Sequence, residues 1–410
     1  MEREEEKSIQ EDRPNPQLGE TTTVDWRLAS EEKFWDELMR GSWKRPMRED
    51  SEQEGKLAYW MKMDLETEER EAAAAACLSE DEDDDEPGFA IRRFRDRWNS
   101  LWSGADRFGD FEDTTFIPPM RYTDELPRDA LSNCDTLQIF SAKVARVGEG
   151  LQWPLDVFGI VAIRDSVDQN RNIIFQRSSL NCQTLTEKDS NLVLTGPTRS
   201  VVLVDLVFIE VDLKVKGTSE DKILFSRVLQ LASPGLHYSR LLQFTKISKF
   251  SPLEFTLGHI IFSVEATISV QIIDGSWPVG FHGEFAACTI DIDGKRHIVA
   301  GAESVNHKEI VLLSFGHEKG HVIDDGGEIK LSRRVVCVQN NSKLEVSMKA
   351  WQGDNTIVDR AGFTAEKLGK SYGKLEVASC KMEVTVAWSL ISYVPELRKD
   401  TILENNRCSS

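Results

Sequence analysis

The most specific chemistry in this chain belongs to two histidines spaced one helical turn apart, with a glutamate beside the first: His317-Glu318-Lys319-Gly320-His321. On a helix, such a pair projects from one face and shares a zinc ion, while the Glu activates a zinc-bound water for hydrolysis. The flanking residues argue against that helix. The segment follows the strand-like Ile310–Phe315, sits between Gly316 and Gly320, and precedes Asp324-Asp325-Gly326-Gly327. A helix-interior Gly costs about 1 kcal/mol relative to Ala. A polar hairpin between two strands fits better. A zinc-dependent hydrolase at His317, Glu318 and His321 is kept as the alternative, with Glu328 as third ligand.

The remaining motifs are weaker. Asp291-Ile292-Asp293-Gly294 matches half of a calcium loop. A calcium ion takes about six to eight oxygens, and the alternation with Ile290 and Ile292 reads as a strand entering an Asp-Gly hairpin. The same holds for Asp324, Asp325 and Glu328. Gly148-Glu149-Gly150 precedes a strand and not a helix, so it offers no phosphate cradle. The seven cysteines are scattered, with no CxxC pair, and read as reduced thiols. No catalytic set and no cofactor are assigned.

These side chains must be positioned by a β framework. Val207, Ile209, Val211, Leu213 and Val215 alternate with Phe208, Glu210, Asp212 and Lys214. Ile260, Phe262, Val264, Ala266, Ile268, Val270 and Ile272 alternate with Ser263, Glu265, Thr267, Ser269 and Gln271. Leu344–Ala350 and Cys380–Leu390 follow the same rule. A buried face opposite a wet one is the mark of antiparallel sheets. Further strands are expected near 137–147, 156–164, 171–177, 223–231, 239–248, 281–292, 295–301, 309–315 and 328–338, with turns at Asp274-Gly275, Asp293-Gly294 and Asp325-Gly326-Gly327. The expected class is all-β: a large antiparallel β-sandwich-like domain over 133–396, or two fused β units, preceded by an acidic, largely disordered arm with short α-helices.

The arm, 1–132, accounts for the charge. Of a net −19, residues 1–130 carry −17 and the rest −2. Helices are expected near 30–40, 56–78 and 90–103, the second stopped by the seven acids Glu80–Glu86. Phe34, Trp35 and Leu38 in the first, and Phe94, Trp98 and Leu101 in the third, are candidate anchors for a protein partner that binds helix-in-groove. The alternative is that these helices dock on the β domain. Asp113–Asp129, with three prolines, reads as a linker, and 397–410 as a polar tail.

Function classes narrow accordingly. An acidic chain is repelled by phosphate backbones, which disfavours nucleic acid. No apolar run approaches the roughly 20 residues of a membrane span. The acidic start Met1–Glu6 lacks a signal-peptide pattern, so the expected location is intracellular, cytoplasmic or nuclear, and not secreted.

Five segments resemble, in order, a plant family expanded in grasses and known as domain of unknown function 6598. They are Ile139-Phe140-Ser141-Ala142-Lys143-Val144, Trp153-Pro154-Leu155-Asp156-Val157-Phe158-Gly159, Leu194-Thr195-Gly196-Pro197-Thr198-Arg199, Lys214-Val215-Lys216-Gly217 and Leu331-Ser332-Arg333-Arg334-Val335-Val336. The resemblance spans about 137–391. It implies a β-rich plant domain and a stress or defence setting, but no active-site residues. The expected function is a non-enzymatic protein-interaction module with an unidentified protein partner; a ligand-binding β-sandwich is a further alternative.

Overall fold

The period-two segments become strands whose apolar faces are buried against one another in pairs of sheets. The structure, a computed structural model, describes residues 88–103, 108–126, 134–148, 150–233, 238–248, 250–291, 304–316 and 322–392. The helices expected near 30–40 and 56–78, the strand near 295–301 and the tail 397–410 lie outside the described residues. The elements are one helix, α1 (Phe89–Trp102), then β1 (Cys134–Val144), β2 (Leu155–Arg164), β3 (Asn172–Arg177), β4 (Gln183–Leu185), β5 (Val201–Val202), β6 (Val207–Val215), β7 (Lys222–Leu231) and β8 (Arg240–Ile247). There follow β9 (Pro252–Asp274), β10 (His282–Asp291), β11 (Ile310–Phe315), β12 (Glu328–Ile329), β13 (Val335–Gln339), β14 (Ser342–Gln352), β15 (Asn355–Thr364), β16 (Gly369–Val377) and β17 (Cys380–Ser389).

All strand pairings in these sheets are antiparallel. A five-stranded sheet runs β3-β2-β6-β7, with β4 beside β2. A four-stranded sheet runs β11-β10-β14-β15. An eight-stranded sheet, β16-β17-β9-β1-β5 with β8, β12 and β13 also on β9, backs both. The two sandwiches are joined through β9, which at 23 residues is about 75 Å long. Leu253, Phe255 and Leu257 on its first half pack into the first core, with Val157, Val211 and Phe225. Val264, Ala266, Ile268 and Val270 on its second half pack into the second core, with Phe285, Leu344 and Val384. The fold is thus the all-β sandwich type, built as two fused units.

Register changes mark the crossing point. Between Ile260 and Ser263, β9 takes one extra residue against β1. Phe262, expected on the buried face, instead has φ 47° and is 56 % exposed. The bulge turns Phe262 alone outward, while Ile260 before it and Val264 after it both stay in the second core, so unbroken alternation misassigns this one residue. Across a second bulge in β1, between Ile139 and Ser141, the face toward the first core passes from Leu137 and Ile139 to Ala142 and Val144, while Phe140 lies in the second core.

The boundary expected near 132 needs correction. Residues 89–103 and 108–126 are built into the fold. Asp113–Thr115 exchanges backbone hydrogen bonds with Arg171 (Thr115 N to Arg171 O, and Arg171 N to Asp113 O, both 3.0 Å). Gly369 N donates to Thr123 O at 2.8 Å. Net charge and prolines suggested a linker. Backbone bonds help to fix this strap, and composition does not reveal them.

Candidate functional site

Charged residues are concentrated under the strap, at the end of the first sandwich, and they are buried. Arg199, at 5 % exposure, forms a two-pronged pair with Asp165 (both N···O 2.7 Å). It also donates to Asp168 Oδ1 at 3.1 Å, to Thr115 Oγ1 at 3.1 Å and to Ser200 O at 2.9 Å, so all its donors are used. Asp168 in turn accepts from Thr115 Oγ1. Burial opposes the Arg199 charge, but Asp165 and Asp168 outweigh it and hold its pKa above the usual value. Burial pushes the Asp168 carboxyl up, with Arg199 pulling it back.

A second group surrounds Glu210, on the outer face of β6. Arg164 donates to it at 2.8 and 3.1 Å, and Arg171 grips both its oxygens. Burial alone would raise Glu210; the two guanidinium groups hold it below the usual carboxylate range. Burial lowers Arg164 to about 10. Its remaining donors reach Gln169 O at 2.9 Å and Phe111 O at 2.7 Å, and its guanidinium carbon lies 4.2 Å from the centre of the Phe111 ring. The third element is Glu265 on β9. One oxygen accepts from Met120 N at 2.8 Å and the other from Ser200 N at 2.7 Å. Burial raises its pKa, while those two amides pull it down. Beside it, Tyr122 N donates to Ser389 Oγ at 2.9 Å.

Alternation placed Glu210 and Glu265 on wet faces, and both are buried, at 1 % and 5 % exposure. Helix and strap cover those faces. A small cleft of about 30 Å³, partly open to solvent, lies between Arg121, Tyr122, Arg199, Glu265 and Ser389. The Glu265 oxygens and Arg199 donors that reach it are already engaged, so this charge cluster ties segments together.

The helix covers part of the outer face of the five-stranded sheet, over β6 and β7. Its apolar stripe turns Phe94, Trp98 and Trp102 (1 %, 0 % and 0 % exposed) onto Phe208, Leu206, Val228 and Phe111. Trp98 stands edge-on to Phe111 at 5.6 Å and donates its indole N–H to Gln169 O at 3.1 Å. The Arg164 guanidinium carbon lies 5.5 Å from the Trp98 ring centre and 5.9 Å from that of Phe94. Phe94 and Trp98, candidate anchors for a partner, are occupied within the chain, as the alternative of docking on the β domain has it; Leu101 is partly buried against the same cluster. Their pattern suits a groove, and the chain provides one. Phe34, Trp35 and Leu38 lie outside the described residues.

His317, Glu318 and His321 also lie outside the described residues. Among the described residues, no group of three His, Cys, Asp or Glu could hold a metal ion. Asp324 Oδ1 accepts from Gly326 N and Glu328 N, both at 2.9 Å, which makes it a turn cap. Asp291 accepts from Asn306 Nδ2 at 2.6 Å. Cys134, Cys182, Cys288, Cys337 and Cys380 are free thiols; burial pushes Cys337 up to about 11 and Cys288 up to about 11. No described helix is long and apolar enough to cross a membrane.

A family model described as "Domain of unknown function (DUF6598)" matches residues 136–386. No curated protein matches the chain. Among solved structures, human GIVD cytosolic phospholipase A2 is similar at 9 % identity and a TM-score of 0.22, over 64 % of this chain and 31 % of that one, so the chain spans about a third of that protein. The calcium-bound pair of C2 domains of Extended-Synaptotagmin 2 is similar at 10 % identity and a TM-score of 0.21, over 64 % of this chain and 99 % of that one. At these scores neither likeness bears on fold or function.

Proposed function

The chain belongs to the family of domain of unknown function 6598, and we propose that it works as a non-enzymatic protein-interaction module that recruits a protein partner through amphipathic aromatic helices. The observation that carries this reading is the seat of α1: three aromatic side chains of an amphipathic helix buried against the first sandwich, with a guanidinium facing the rings of two of them, Phe94 and Trp98. Helix-in-groove recognition uses this geometry, with anchors one turn apart. A further support is the charge cluster, whose carboxylates are each held by arginines or backbone amides. The finer setting, a plant stress or defence response inside the cell, belongs to the same proposal.

The test uses the whole chain with Phe34, Trp35 and Leu38 replaced together by Ala. Affinity-purified wild-type and variant proteins are compared by quantitative mass spectrometry. The proposal expects specific partners to fall away from the variant while its melting temperature stays that of the wild type. An unchanged partner set rejects recruitment by this segment.

A further inference from the structure

The helix and the strap are held in different ways. The strap, 108–126, is bound by backbone hydrogen bonds to Arg171 and Gly369, and by the side chains of Glu265, Ser389 and Asp168. The helix α1 rests on ring packing, with one indole hydrogen bond from Trp98 to Gln169 O and an exposed Arg95–Glu112 pair at 2.6 Å. Its N-cap is Gly88, which offers no side-chain hydrogen bond to the first turn. No acidic residue lies in its first turn and no basic residue in its last. A 14-residue helix with such ends is marginal alone and depends on the surface it covers. That surface is imperfectly matched: among the described residues, the buried Trp102 Nε1 and Arg97 Nε have no hydrogen-bond partner. Unsatisfied polar atoms make an interface easier to open than its apolar area suggests.

We infer that α1 is an exchangeable occupant of a helix-binding groove, and that the partner this groove fits is an amphipathic helix with aromatic side chains at i, i+4 and i+8, the spacing of Phe94, Trp98 and Trp102. The inference rests on the interaction-module reading and names its partner class. Arg164 gives the preference for aromatic anchors over aliphatic ones. Its guanidinium is buried, fixed by Glu210, and turned toward the rings of Phe94, Trp98 and Phe111. A helix from another protein with this pattern would displace α1, while the strap keeps the sandwich intact.

The test uses the full chain and a synthetic labelled peptide of residues 86–105. Its binding is measured by fluorescence anisotropy against wild type and against the full-length F94A/W98A/W102A variant. Exchange requires the peptide to bind the variant at least about tenfold more tightly than the wild type, where the tethered helix competes. A peptide carrying W98A should bind neither. A folded variant that does not bind the peptide, or equal binding to both proteins, overturns the inference. If the variant does not fold, hydrogen exchange on the wild type decides: α1 amides should exchange at least about tenfold faster than those of β6 and β9. Equal protection overturns the inference. Failure of exchange, with partners still lost from the Phe34/Trp35/Leu38 variant, removes the groove and leaves the interaction reading standing.

Discussion

The two sandwiches share β9 yet are completed differently. The second is closed by its own strands around an apolar core of Trp277, Phe285, Met348, Val384 and their neighbours. Among the described residues, its one deeply buried cation is Arg333, which donates to Ile139 O and Phe140 O at the β1 bulge. Burial lowers that group to about 10. The first sandwich has an equally apolar interior, but the outer face of its five-stranded sheet carries Arg164 and Glu210, which need cover. Residues from well before the first strand supply it. The difference teaches that one half of this molecule is specified by strand alternation, and the other half by chain that alternation never touches.

Breaking the ion network should have the largest effect. Glu210→Gln leaves Arg164 and Arg171 without their carboxylate, and removing one partner of a buried pair costs about 3–5 kcal/mol. Urea denaturation of the variant should show that loss. Arg333→Met is the matching change in the second sandwich. It strands two carbonyls but no charge, and should cost about 1–3 kcal/mol by the same measurement. If the two changes cost the same, the contrast between the halves fails.

Acid should separate the two kinds of carboxylate. Glu210 sits below its usual value, so its stabilisation is complete above the ordinary Glu range and is lost as pH falls through its folded value, below that range. Asp168 and Glu265 are raised by burial, so the folded chain binds their protons more tightly than the unfolded chain. Their protonation favours the fold as pH drops below neutrality. Denaturation midpoints from pH 7 to pH 3 should therefore pass a maximum on the acid side and then fall, and Glu210→Gln should flatten the fall. A steady decline from pH 7 would contradict these assignments. The smallest effect belongs to Phe262→Ser. This ring is outward on a bulge, and its loss should change stability by no more than about 0.5 kcal/mol. A cost of several kcal/mol would return Phe262 to the core.

Much of the framework was legible in the sequence because half-buried strands announce themselves. The stretches read from Val207, Ile260, Leu344 and Cys380 all lie in strands, and Asp274-Gly275 is a turn, with Gly275 at φ 74°. β15 and β16 went unread because their outward residues, such as Val358 and Tyr372, blur the alternation. The buried charges were missed for a different reason. Glu210 and Glu265 occupy outward positions of good alternating strands, and period two alone assigns them to solvent. Only knowledge that α1 and the strap fold back over those positions would have moved them inside. The aromatic face of α1 was visible, but a helix that binds a partner and one that binds its own domain share a single pattern.

The central claim, that residues 108–126 complete the first sandwich while α1 only covers it, is tested most directly by thermal unfolding of three chains beginning at residues 86, 105 and 133 and ending at 396. The chains from 86 and 105 should show a cooperative transition, the second at a modestly lower temperature, and the chain from 133 should lose cooperative folding of the first sandwich. Equal melting temperatures for the chains from 105 and 133 would contradict it.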